Sequence, residues 1–297
     1  MYLEHFGLRE QPFRLTPDTA FFFASGPHQE AFNTLLVAVQ SGEGFVKVTG
    51  EVGTGKTLLC RKLLDALGDG FVTCYVPNPQ LTPKGLHLSV AQELGLAVDK
   101  AQSQHRLVQR LTERLLALCQ AGRRVVVVLD EAQCMPLETL EALRLMTNLE
   151  TEKAKLMQVV LFGQPELDER LAARSVRQIR QRITFSYALR PLDRAAVGSY
   201  VAHRLLVAGS HGQVQFRPAA LRELHRASRG LPRLVNVLAH KALMVAYGRG
   251  EQAVRRTDVL LAVRDTESAR QPRPMLAWTV LLAGCAAAAT ATAVYLS

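Results

Sequence analysis

The chain has 297 residues, 48% of them hydrophobic and 21% charged, with a formal net charge of +10. That length exceeds one ordinary hydrophobic core and points to two domains, while the composition excludes a disordered or low-complexity chain. The five cysteines (Cys60, Cys74, Cys119, Cys134 and Cys285) are scattered and odd in number, which excludes a disulfide framework and a zinc site and fits a reducing compartment.

The opening residues MYLEHFGLREQPF carry charges and a proline where a signal peptide needs an apolar run, so export as a soluble protein is not expected. Residues 1–30 are rich in phenylalanine (Phe6, Phe13, Phe21, Phe22, Phe23) broken by Pro12, Pro17 and Pro27. They read as a loop-rich cover packed on the main domain. A short helix is predicted over about 28–41. Strands follow at 45–49, 71–76, 125–129, 156–162 and 184–189, with helical patterns between them, including 56–67, 107–120 and 137–149. Helices alternating with buried strands predict a mostly parallel α/β sheet covered on both faces. The run Val125–Leu129 is apolar on both faces, as a central strand must be.

After Pro191 the strand signals stop. Residues 193–208, 218–228, 231–247 and 257–267 each read as amphipathic helix, separated by Gly or Pro. The expected organisation is an α/β domain over 1–190, a helical lid over 191–267, a linker over 268–274 and a transmembrane helix over 275–297.

The strongest chemical signal is GEVGTGKT at 50–57 (Gly50, Glu51, Val52, Gly53, Thr54, Gly55, Lys56, Thr57), followed by Leu58. It satisfies the phosphate-loop pattern and lies between a predicted strand and a predicted helix. The glycines let backbone N–H groups turn toward phosphate oxygens, and the helix N-terminus adds its positive dipole end. Lys56 is placed to reach the β- and γ-phosphates, and the Thr57 hydroxyl to bind Mg²⁺.

The second signal is VVVVLDEA at 125–132. A carboxylate directly after a buried strand belongs at the sheet edge beside the phosphate loop. Asp130 is expected to hold Mg²⁺, and Glu131 to polarise the attacking water as general base. A glutamate in that position favours hydrolysis of ATP over small-molecule kinase chemistry. Three more groups complete a motor site: Gln164, at the end of a strand beside the Asp130 strand, Arg182 just before the last strand, and Arg233 at the start of a lid helix. Arg182 is placed to enter a neighbour's site, with Arg180 the competing choice and Arg177 a third.

The order GEVGTGKT, VLDEA, GQPEL, RQR before a strand and GLPR in a helical lid resembles AAA+ ATPases of the ExeA/GspA type, over residues 1 to about 267. The opening MYLEHFGLREQPFRLTPDTAFFF, TNLETEK and LFGQPELDERLA look most like the branch that serves pilus biogenesis of the mannose-sensitive haemagglutinin kind. The resemblance implies a P-loop sheet with an α-helical lid, ATP hydrolysis, and assembly into a dimer or ring. It also implies type IV pilus or type II-like secretion partners at the cytoplasmic face of a bacterial inner membrane. It further suggests that Pro27 and His28 lie near the adenine. Proteins of that type continue past a membrane span into a periplasmic peptidoglycan-binding domain. No residues follow the span in this sequence, so that activity is not expected here.

From Pro274 to Ser297 the sequence has no charged residue, enough for the roughly 20 residues that cross a bilayer. Trp278 and Tyr295 sit near its ends, and Arg264, Arg270 and Arg273 lie upstream, which keeps the ATPase in the cytoplasm. Arg170, Arg174, Arg177, Arg180, Arg182, Arg190 and Arg194 face only Asp193 along their stretch. Nucleic acid is the rival partner for that cluster, and a DNA-dependent switch ATPase the rival function. His87, His105, His203 and His240 are isolated and read as packing or surface residues.

Overall fold

The computed structural model describes residues 2–24, 26–99, 101–149 and 155–269. In chain order the elements begin with a one-turn α1 (Tyr2–His5) and α2 (Gly26–Gln40). The α/β unit follows: β1 (Phe45–Gly50), α3 (Lys56–Ala66), β2 (Phe71–Val76), α4 (Pro83–Glu93), α5 (Gln104–Gln120) and β3 (Arg124–Leu129). It continues with α6 (Leu137–Met146), β4 (Met157–Gly163), α7 (Glu166–Leu171), α8 (Arg177–Arg182) and β5 (Ile183–Leu189). The second unit holds α9 (Arg194–Val207), β6 (Gln215–Phe216), α10 (Pro218–Ser228), α11 (Pro232–Gly248), β7 (Ala253–Val254) and α12 (Arg256–Arg264).

The five long strands form one parallel sheet in the order β2-β3-β4-β1-β5. Parallel pairing requires crossovers, and the helices that supply them cover both faces. The strand residues divide accordingly. Val125, Val127 and Leu129 pack with α4, α5 and α6, whereas Val126 and Val128 pack with α2 and α3. All five are fully buried or nearly so, and burial of each valine contributes roughly 1.5–2 kcal/mol. Along β5, an edge strand, burial alternates instead, with Phe185 and Tyr187 half-buried on the α2 side. Helix starts are set by local chemistry. Thr82 accepts from the Gly85 N–H (3.1 Å) ahead of α4, and Asp193 accepts from the Ala196 N–H (2.7 Å) ahead of α9. Prolines open α4, α10 and α11, where the missing N–H costs nothing. Helix α4 falls in a stretch from which no helix was predicted.

The structure corrects two sequence expectations. Residues 1–23 do not chiefly cover the α/β unit. Phe6, Leu8, Phe13 and Phe21 belong to the core of the second unit, with Val197, Val201, Leu224, Leu238 and Val259. Only Phe22 joins the core around α2 and α3. Aromatic richness announced a packed segment, but not which of two cores would receive it. The second unit is also not purely helical, since β6 and β7 pair in parallel over two residues each. Such a short ladder lies below the length at which alternation is legible.

The transmembrane helix expected over 275–297 lies outside the described residues. Among the described residues no helix is long and apolar enough to cross a membrane.

Candidate active site

The phosphate loop leaves β1 at Gly50 and enters α3 at Lys56. Gly53 and Gly55 hold φ of +83° and +99°, a region that side-chain-bearing residues rarely adopt. Crowding adds to the requirement at Gly53, where a Cβ would lie 2.9 Å from the Cβ of Arg233. The loop braces itself: the buried Thr54 donates its hydroxyl to the Glu51 carbonyl at 2.8 Å. Lys56 donates to the carbonyls of Gly50 (2.7 Å) and Glu51 (3.0 Å), so its ammonium lies inside the curl of the loop. Burial lowers the Lys56 pKa, and the charges of Glu131 and Asp130 oppose that shift.

Asp130 follows directly on β3 and is 3% exposed. Its Oδ2 accepts from the Thr57 hydroxyl at 2.7 Å, and its Oδ1 from the Glu131 N–H at 3.0 Å. Burial raises its pKa, and those two hydrogen bonds act against the rise. Glu131 takes φ +53°, one of two non-glycine residues with positive φ among those described. Its Oε2 accepts from Gln133 Nε2 at 2.6 Å and from Gln164 Nε2 at 3.2 Å. Gln164, one residue beyond β4, thus stands beside Glu131 because β4 is the neighbour of β3 in the sheet.

The second unit meets the loop at α11. The Arg233 N–H donates to the Gly53 carbonyl at 3.1 Å, and Arg233 lines a cleft of about 340 Å³ together with Gly53, Gly55, Lys56, Thr57, Leu58, Val52 and Glu131. The opposite wall comes from Arg14, Leu15, Thr16, Pro17 and Asp18, with Tyr200, Arg204, Pro232 and Asn236 behind them. The guanidinium of Arg204 donates to the carbonyls of Pro12 (2.5 Å) and Arg14 (3.1 Å) and lies over the Phe21 ring. Tyr200 donates to Asn236 Oδ1 at 2.9 Å. This wall was missed from the sequence. Its only signal was the Pro17–Asp18 turn chemistry, which says nothing about where the turn packs.

Pro27 and His28 do not line the cleft. His28 is 8% exposed and lies behind the phosphate loop, where its Nε2 contacts the Thr54 carbonyl at 2.7 Å. A carbonyl only accepts, so Nε2 carries the hydrogen. Burial holds its pKa below the usual histidine value. Arg177, Arg180 and Arg182 are exposed on α8 and outside the chain's own cleft. Among the described residues, Arg182 donates to the Thr147 hydroxyl at 3.5 Å.

The cleft brings together a phosphate loop, a lysine, a hydroxyl–carboxylate pair and a second carboxylate. An AAA domain matches residues 39–171. The chain is an AAA+ ATPase. It is similar to General secretion pathway protein A of Aeromonas hydrophila, with 43% identity over 270 residues and 91% of the chain. The chain spans about half of that relative's own length, 49%. Among solved structures it is similar in fold to the Aeropyrum pernix ORC2 protein in its ADPNP and ADP complexes. The TM-score there is 0.61 at 17% identity, covering 88% of this chain and 74% of that one. It is similar also to the Aeropyrum pernix ORC1 protein in complex with DNA, with TM-score 0.62 at 23% identity, 86% of this chain and 69% of that one. The ORC likenesses establish the fold.

Proposed function

We propose that this ATPase works as an assembly motor at the cytoplasmic face of a bacterial inner membrane, in building a type IV pilus or a type II-like secretion apparatus. The observation that carries the hydrolytic part is the placement of Glu131, with its carboxylate on the cleft and its Oε2 held by the Gln164 amide. The loop N–H groups and Lys56 bind and orient the phosphates. Thr57 and Asp130 supply hard oxygen donors 2.7 Å apart, a set that fits Mg²⁺, which keeps most of its shell as water and phosphate oxygen. Thr57 and Asp130 would hold that ion, which would supply neutralisation of charge on the phosphates. Glu131 accepts the proton of the attacking water, and Gln164 sits where a γ-phosphate is sensed.

The exposure of Arg182 and Arg180 supports action in trans. In a dimer or ring one of them, Arg182 by its place just before β5, would reach the neighbour's nucleotide, while Arg233 carries the lid response. The secretion or pilus role is supported by the identity to the secretion-pathway relative. Membrane attachment is supported by the uncharged stretch from Pro274 to Ser297.

The test uses the full chain expressed in bacteria. It should pellet with inner membranes, and deletion of 275–297 should release it without loss of ATPase activity. A full chain that stays in the soluble fraction defeats the membrane reading. The exposed arginines favour one rival, a DNA-dependent switch ATPase. Strong stimulation by duplex DNA that collapses with salt would establish that rival instead.

A further inference from the structure

The side-chain amide of Gln133 is bonded at both of its ends. Its Nε2 donates to Glu131 Oε2 at 2.6 Å, and its Oε1 accepts from the main-chain N–H of Gln164 at 3.0 Å. The same Nε2 stands 3.7 Å from Cys134 Sγ. The Gln164 side chain returns to the same Glu131 oxygen at 3.2 Å. Two amides and one carboxylate therefore close a ring that ties the residue after Asp130 to the residue after β4. The backbone around it is built for this. Glu131 adopts φ +53°, and the Glu131 carbonyl accepts from the Cys134 N–H at 2.9 Å, which closes the turn that turns Gln133 back toward Glu131. Gly163 leaves room for the amide, since a Cβ there would lie 3.2 Å from Gln133 Oε1.

We infer that Gln133 is a positioning residue. It fixes the Glu131 carboxylate on the cleft and couples it to the backbone of Gln164, so that the two groups move as one unit. The inference rests on the reading of Glu131 as the base. Glu131 has three rotatable side-chain bonds, and a single bond from Gln164 would leave it a wide cone of directions. The second, shorter bond from Gln133 removes most of that freedom. Because the other end of the same amide holds a main-chain N–H, any shift of the β4 end is passed to Glu131 without a side-chain rearrangement. A misplacement of about 1 Å at a reacting group costs on the order of 100-fold.

The test compares wild type, Gln133→Ala, Gln133→Glu and Glu131→Gln in the full chain, with Mg²⁺ and ATP, and with affinity for a fluorescent ADP as the binding readout. Gln133→Ala is expected to lower kcat by roughly 10- to 100-fold while KM and ADP affinity stay within about twofold. Gln133→Glu gives the signature that a merely structural role would not. When protonated, its carboxyl can donate to Glu131 and accept from Gln164; when ionised, it repels Glu131. Its kcat relative to wild type is therefore expected to fall about tenfold or more as pH rises from 6 to 8. Wild-type kcat in Gln133→Ala, alongside an inactive Glu131→Gln, overturns the positioning role. So does a Gln133→Ala loss shared equally by kcat and ADP binding with a flat Gln133→Glu ratio. A fully active Glu131→Gln overturns the base assignment, and the positioning role with it.

Discussion

The two walls of the cleft are made differently. The α/β wall acts through backbone: loop N–H groups, left-handed glycines, a carboxylate directly after a buried strand, and a glutamine one residue beyond the next strand. Each group is placed by its position along a strand or at a helix start, so a short run of sequence suffices to define it. The opposite wall acts through side chains that bridge distant parts of the chain. Arg204 of α9 holds the carbonyls of Pro12 and Arg14, and Asn236 of α11 donates to the Arg14 carbonyl at 3.5 Å. The first wall carries chemistry and the second carries shape. Changes to the first should therefore cost rate with little stability, and changes to the second stability with less rate.

The largest effects are expected on the chemical wall. Glu131→Gln should lower kcat by about 10²–10⁴-fold while ATP binding and melting temperature hold, by steady-state hydrolysis and thermal scans. A comparable loss of binding would erase the distinction. Next comes Arg204→Met, which keeps an apolar stem and removes the bonds to Pro12 and Arg14. Hydrogen bonds of a charged, buried group support a loss of about 2–3 kcal/mol in denaturant unfolding, with kcat reduced far less than in Glu131→Gln. An unchanged unfolding midpoint would mean the wall is held by packing alone.

Gly53→Ala probes the seam between the walls, since it adds a Cβ at φ +83° and 2.9 Å from the Arg233 Cβ. Strain of roughly 1–2 kcal/mol should appear as a loss of about tenfold in nucleotide affinity. Equal affinity in titration calorimetry would show that the lid contact yields without cost.

The smallest effect concerns pH. Burial lowers the His28 pKa in the folded chain, so the unfolded chain binds its proton first as pH falls below the ordinary value of 6.5. Stability from this group is full above that value and declines below it. His28→Gln keeps a donor for the Thr54 carbonyl and removes the titration. Wild type should therefore lose more melting temperature between pH 7.5 and 5.5 than the variant does. Identical losses would place the titration elsewhere.

The same contrast explains what could be read in advance. The five strands lie within one residue of their predicted limits because the period-2 pattern and the buried valine run are local signals. GEVGTGKT and the Asp130–Glu131 pair needed only their strand context. Gln164 followed from sheet order, since β4 borders β3. The destination of Phe6, Phe13 and Phe21 was not legible, because an apolar segment has no address until the cores compete for it. The wall at Arg14–Asp18 was missed for the same reason, and the burial of His28 against the Thr54 carbonyl was not foreseen. Nothing in the sequence singles out Gln133, which is one polar residue just after the Asp130–Glu131 pair. Its partners are fixed only by the left-handed turn at Glu131 and the space at Gly163.

The most direct test of a cleft completed in trans is specific ATPase activity as a function of protein concentration, for wild type and Arg182→Ala. Activity per chain should rise with concentration in wild type, while Arg182→Ala binds ATP normally and stays low at every concentration. An activity flat in concentration and untouched by Arg182→Ala would show that each chain hydrolyses ATP alone and that Arg182 is not the finger.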